Sequence, residues 1–219
     1  MSGGRERRTS PRPITAMVVT AVAVAMWSAC PGTEAVPDSE LKIACEDMTP
    51  RHPGYVPQNW QHVPCPYRLL VDTVPVRPGD LVNLTLVSID DSIPFKGFMV
   101  QARDADGYAL GTFLPDCSKA GTKPQHMISC SKGNEPYNAV VHSNNKNKLK
   151  AFFTWVAPIS IKGPLIFKYT VVHDYKHFWT NEETAVIPVL EIPPEEYAIK
   201  SSINHEYYIY QMFIKNCYS

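Results

Sequence analysis

Six cysteines give this sequence its most reactive side chains: Cys30, Cys45, Cys65, Cys117, Cys130 and Cys217. None stands in the C-x-x-C spacing that tunes a thiol for exchange or builds half of a zinc knuckle, so thiol catalysis and a structural metal lose their usual signature. Four of them fall between residues 45 and 130. In an oxidising compartment such a set reads as disulfides, and four cysteines allow three pairings. Cys217 is left over, to stay free, to join two chains or, if a leader is cut upstream of residue 30, to pair with Cys30. His173 and His177 are four apart, a spacing that converges on a metal only in a helix, and here the segment reads as a strand end. His142, in Val-His-Ser-Asn, has no acid close in sequence to orient it as a base and reads as a histidine bonded to backbone. Lys96, Gln101 and Arg103 share one segment, FKGFMVQARD, where their first duty is to set a strand and its turn and their second is ligand contact. No G-x-S-x-G, H-E-x-x-H or phosphate-cradling glycine loop occurs. The chain is therefore expected to be no enzyme, with no cofactor and no metal site.

The elements that must hold these residues are strands. VNLTLV alternates Val82, Leu84 and Leu86 on one face with Asn83 and Thr85 on the other, the period of a half-buried strand. Asn83-Leu84-Thr85 is an N-x-T sequon on the outward face, so a glycan there is sterically allowed. The same alternation sends Phe98, Val100 and Ala102 inward, then Leu149, Ala151, Phe153 and Trp155, then Leu165, Phe167, Tyr169 and Val171. Turns such as Arg77-Pro78-Gly79-Asp80 and Lys162-Gly163-Pro164 separate the runs. No helical crossover of the length that a parallel sheet demands lies between them. The expectation is an all-β fold: an antiparallel β-sandwich of about seven to nine short strands.

Composition agrees. The chain has 219 residues, 21 basic and 21 acidic side chains, and 44% apolar residues. That balance excludes a charge-rich disordered chain and a basic nucleic-acid binder, so no nucleic-acid partner is expected. Arg5, Arg7, Arg8 and Arg12 precede an apolar stretch from Ile14 to Ala29, the order of a secretory signal, with small residues at Thr33 and Ala35 suiting cleavage after 35. At sixteen residues the stretch is short for a membrane span. Removing residues 1–35 leaves 17 basic and 19 acidic groups, a formal charge of −2. The mature chain is then expected to be secreted, with no membrane span. Lys146, Lys148 and Lys150 read as a solvated strand edge. Residues 185–219 are tyrosine-rich without a clean period and form a tail of uncertain structure, whose removal from 195 onward is expected to leave the thermal midpoint nearly unchanged.

The linear order of motifs points further. Cys45-x-x-Met48-x-Pro50-x-His52 is followed by Pro66-Tyr67, RPGDLVNLTL, PFKGFMVQARD, Gly111-Thr112-Phe113, Cys130, AVVHSN, FTWVAP and Phe178-Trp179. Over residues 41–184 the chain resembles the reeler (reelin N-terminal) domain. The resemblance implies an immunoglobulin-like sandwich and a bridge between Cys45 and Cys130. Cys65 and Cys117 depart from the commonest pattern of that family, and a second bridge between them is the economical expectation.

Two functions follow from the resemblance. Signal, single domain and stop is the layout of the small secreted defence proteins of arthropods, which implies a disulfide-bonded glycoprotein of innate immunity whose partners are microbial surface glycans or lipopolysaccharide. Loops at residues 49–61 and 117–137 are then the recognition surfaces. In the alternative the chain is the front module or a truncated product of a membrane ferric-chelate reductase-like protein, or an extracellular-matrix module. Oligomeric state is open.

Overall fold

β-branched and aromatic residues at alternating positions dictate what forms. In a computed structural model of the chain, which describes residues 42–57, 63–115, 124–203 and 205–218, ten strands appear in two antiparallel sheets. The leader stretch, Cys30 and Cys117 lie outside the described residues. The first sheet has the order β1 (Tyr67–Val71), β2 (Leu81–Ser88), β8 (Lys150–Val156), β5 (Thr112–Phe113). The second runs β10 (Phe178–Glu183), β9 (Ile166–Val172), β3 (Gly97–Arg103), β7 (Ala139–His142), β6 (Gln125–Ile128), with β4 (Ala109–Leu110) also pairing β3. The count exceeds the expected range because β4 and β5 are two-residue pieces.

The inner faces meet through Val82, Leu84, Leu86, Ala151, Phe153 and Trp155 from one sheet and Phe98, Val100, Ala102, Phe167, Tyr169 and Val171 from the other. Rings interlock across the gap: Phe98 lies 5.1 Å from Phe153 and Trp155 stands edge-on to Phe167 at 5.2 Å. The Trp155 indole donates to the Leu110 carbonyl at 2.8 Å. Gly111 beside it has φ +63°, and a Cβ there would sit 2.6 Å from the Trp155 ring, so only glycine fits that approach. One inward assignment fails. Leu149 is 42% exposed, because β8 begins at Lys150 and Leu149 contributes its carbonyl to Ser88 while its side chain stays in water.

β3 is buried on both faces, where simple alternation expects one. Its second face is covered by the segment around residues 44–48: Ala44, Cys45 and Met48 pack with Met99, Ile128, Cys130, Ala139 and Val141. The chain beyond residue 184 is also part of the packed body. Ile187 bridges Leu165 and Val189 bridges Val76, then two helices follow, α1 (Pro194–Ser202) and α2 (His205–Tyr218). Proline at the start of α1 and Glu195 and Glu196 in its first turn match what a helix N-terminus favours. Tyr208 is buried against Leu114 and Val156 and its hydroxyl donates to the Gly79 carbonyl.

Candidate functional site

The residues singled out from sequence separate into two groups. Gln101 and Arg103 belong to the fold. Arg103 is 7% exposed and its Nη2 donates to the carbonyls of Cys45 at 2.7 Å and Glu46 at 3.1 Å, while Nε and Nη2 both reach Gln101 Oε1. Gln101, wholly buried, donates to the Cys130 sulfur at 3.0 Å. Cys45 and Cys130 are joined in a disulfide with Cα atoms 5.7 Å apart. The Q-A-R triplet thus clamps the bridged N-terminal segment onto β3, and neither polar group is open to a ligand. Thr170 Oγ1 bonded to Met48 O and Asn181 Nδ2 bonded to Asp47 O extend the clamp.

Lys96 belongs to the second group. It is exposed at the start of β3 and lines a pocket of about 340 Å³ with Arg51, His52, His142, Asn145 and Tyr175. Three pieces of chain make the walls: the segment after Met48, the start of β3 with the end of β7, and the turn between β9 and β10. His52 stacks on Tyr175 with centroids 4.4 Å apart and meets Phe178 edge-on at 5.0 Å. Its Nδ1 is buried without a hydrogen-bond partner. Burial lowers the His52 pKa against the opposing pull of the Tyr175 backbone and Asp174, which leaves a neutral ring as a flat platform.

His142 forms the floor. Its Nδ1 lies 3.2 Å from both the amide and the carbonyl of Phe98, and burial lowers its pKa. The imidazole lies over Gly97, where a Cβ would sit 2.9 Å from His142 Cε1. That contact ties the glycine of F-K-G-F to the histidine of V-H-S-N. Lys148, read from sequence as a solvated edge, instead braces a wall. Its ammonium donates to the carbonyls of Lys96, Asn144 and Lys146 at 2.8–2.9 Å and to Asn144 Oδ1 at 3.2 Å. Sequence missed this because three of the four acceptors are backbone carbonyls. Arg51 is paired with Asp47 at 2.9 Å.

His173 and His177 face different tasks. His173 Nδ1 is 2.7 Å from the Pro94 carbonyl and 3.2 Å from the Tyr67 hydroxyl, whereas His177 Nδ1 is 2.9 Å from Asp174 Oδ1. For Asp174, burial works against ionisation but the bonds from His177 and two backbone amides prevail and hold its pKa down at about 2. Among the described residues no three histidine, cysteine or acidic side chains come together as a metal site.

Cys65 lies in a second, larger groove of about 850 Å³ between the edge strands β1 and β10, with Leu70, Val74, Tyr169, Glu182 and Val186. It carries a free thiol in this structure, with a pKa pushed up by burial to about 12. Its expected partner, Cys117, lies outside the described residues. Asn83 is exposed on the outer face of the first sheet, its amide held by Asp72 and Thr154.

Two packed antiparallel sheets and an N-terminal segment bridged onto β3 define a β-sandwich module. The reeler domain model matches residues 43–194, and the chain belongs to that family. It is 30% identical to a protein named "Putative defense protein 1" of Antheraea mylitta over 76% of this chain and 95% of that one. It is 29% identical to Ferric-chelate reductase 1 of Bos taurus over 72% of this chain but only 25% of that longer protein. The crystal structure of the Reelin-N domain of F-spondin covers 58% of this chain and 88% of that one, with 19% identity and a TM-score of 0.47. Among the described residues no helix is long and apolar enough to cross a membrane.

Proposed function

We propose that this chain is a secreted, non-enzymatic recognition module of the defence type that binds microbial surface glycans or lipopolysaccharide through the pocket at the start of β3. The observation that carries the reading is the His52–Tyr175 stack beside Lys96. A flat aromatic platform offers a face to the C–H side of a sugar ring, and the exposed Lys96 ammonium offers a hydrogen bond and a charge to its hydroxyl, carboxylate or phosphate groups. Similarity over 95% of the length of the defence relative supports the defence reading.

The test is retention of the purified secreted protein on intact bacteria and fungi, with lipopolysaccharide and β-glucan as isolated probes. Saturable binding at physiological salt, weakened at least about tenfold by Tyr175→Ala together with Lys96→Ala, supports the pocket; about tenfold corresponds to 1.4 kcal/mol. Binding that survives both substitutions moves recognition elsewhere, and no binding to any surface removes the defence reading. A second reading rests on the reductase relatives, of which this chain matches one quarter: it would then be the front module of a longer redox protein.

A further inference from the structure

The outer face of the first sheet carries a cross-strand row that the fold does not use. Leu70 on β1 pairs with Thr85 on β2, and Thr85 pairs with Phe152 on β8. Leu70 is 46% exposed and Phe152 66% exposed, so the sequon threonine is flanked on both sides by large apolar groups open to water. One register step away on the same face, Asn83 pairs with Thr154. A side chain two positions removed on a neighbouring strand is within reach of a group of sugar-ring size, with Cβ atoms about 7–8 Å apart.

The Asn83 amide is already aimed. Asp72 accepts the Asn83 backbone amide at one oxygen and the Nδ2 hydrogen at the other, both at 2.8 Å, and the Thr154 hydroxyl donates to Asn83 Oδ1 at 3.1 Å. These bonds fix the amide plane and use one of the two Nδ2 hydrogens. The second is the hydrogen that an N-glycosidic bond replaces. We propose that Asn83 carries an N-linked glycan whose first sugars lie across Thr85 onto Phe152 and Leu70, so that the glycan is the cover of this sheet face. The inference rests on the reading that the chain is exported. In the transfer, Asn83 Nδ2 loses a proton and bonds to C1 of the sugar, the bond from C1 to phosphate breaks, and the lipid diphosphate of the lipid-linked oligosaccharide donor leaves. Because β2 is hydrogen-bonded on both sides, by β1 and β8, the transfer precedes sheet closure.

The experiment uses the full chain expressed in a glycosylating secretory host, once with its own first 35 residues and once behind a strong heterologous leader. Peptide mass mapping of the exported protein is expected to find Asn83 occupied. Thermal midpoints are then compared for the unaltered chain, Thr85→Val, Phe152→Ser and the double variant, with the same four chains made without glycosylation as the baseline. The glycan is expected to raise the midpoint by about 2–4 °C, the shift that 1 kcal/mol gives in a domain of this size, and to raise it by less than about 1 °C once Phe152 is serine. Asn83 left bare behind the heterologous leader overturns the glycan. Occupancy with a gain that persists in Phe152→Ser overturns the cover. A chain exported only behind the foreign leader overturns the export reading and leaves the glycan assignment standing.

Discussion

Arg103 Nη2 donates to the carbonyl oxygen of Cys45 across 58 residues of sequence, so the guanidinium at the end of β3 grips the backbone of the disulfide that lies beside it. Burial lowers the Arg103 pKa, offset by the charges of Glu46, Asp47 and Glu183, and the group stays charged at any ordinary pH. Replacing it by lysine removes the planar fork and leaves the Cys45 and Glu46 carbonyls and Gln101 Oε1 short of donors. Arg103→Lys is expected to cost about 2–4 kcal/mol in urea unfolding with the disulfide intact. A loss under about 0.5 kcal/mol would show that the bridge alone holds the segment.

Gly97 and His142 form one contact from two motifs. A methyl group at Gly97 would push the imidazole off its seat against Phe98, so Gly97→Ala is expected to destabilise by about 1–3 kcal/mol. Shrinking the neighbour should restore part of the loss. The check is a double-mutant cycle with His142→Ser, in which additive effects would deny the contact.

Much of this was legible in advance, for a physical reason. Trp155, Phe167 and Leu84 announce themselves through the strict alternation of a strand with one wet face. β3 escaped that rule because the segment around Met48 covers its other face, and contacts made 50 residues away leave no trace in local period. Met48 shows it best: it is fully buried with φ 56°, and only the recurring C-x-x-M spacing hinted that it mattered. The pocket was half visible. Lys96 and His142 were flagged by type, but Lys148 acts through backbone carbonyls, and the His52–Tyr175 stack joins residues 123 apart in sequence. Gln101 and Arg103 read first as groups that set a strand and only second as ligand contacts, but their partners, the Cys130 sulfur and the Cys45 and Glu46 carbonyls, lie too far off in sequence to be named from it.

Acid should loosen the pocket. Burial lowers the pKa of both His52 and His142 below the ordinary 6.5. Below pH 6.5 the unfolded chain therefore binds more protons than the folded one. Stability from these groups is full above 6.5 and is lost as pH falls toward their folded pKa values. The thermal midpoint is expected to fall between pH 7 and pH 5, and to fall less in His142→Asn. Equal slopes in the two proteins would mean that His142 titrates as freely folded as unfolded.

The groove between β1 and β10 makes a different statement. Burial pushes the Cys65 thiol to about 12 and raises the Glu182 pKa, and among the described residues Glu182 forms no ion pair. Cys65 is expected to add one alkyl group only after unfolding, with slow labelling of the native protein at pH 8. No added mass from Cys65 in the unreduced, unfolded chain would establish a disulfide there. For Glu182, a raised folded pKa gives stability that is present below the unfolded value of 4.5 and lost as pH rises through the folded one. Glu182→Gln should then raise the midpoint at pH 7 and leave it nearly unchanged at pH 4.

The tail offers the sharpest revision of what the sequence implied. Residues 195–219 read as dispensable, yet Tyr208 is buried, its hydroxyl donates to Gly79 O, and Lys200 donates to Pro78 O at 2.9 Å. Both bonds fall on the turn that launches β2, and Leu114 and Val156 pack on the same ring. Burial, with a smaller contribution from Asp80, pushes the Tyr208 pKa to about 12, so the phenol stays a donor across the whole working range. Deleting residues 195–219 is expected to lower the thermal midpoint by about 5–10 °C, since a buried aromatic ring and its partners are worth about 2–4 kcal/mol. Tyr208→Phe separates the two contributions: it keeps the ring and should cost only about 1 kcal/mol, the price of the hydroxyl bond. A truncated chain that melts with the full one would return α1 and α2 to the status of an appendage, and an unchanged Tyr208→Phe variant would assign the docking to the ring alone.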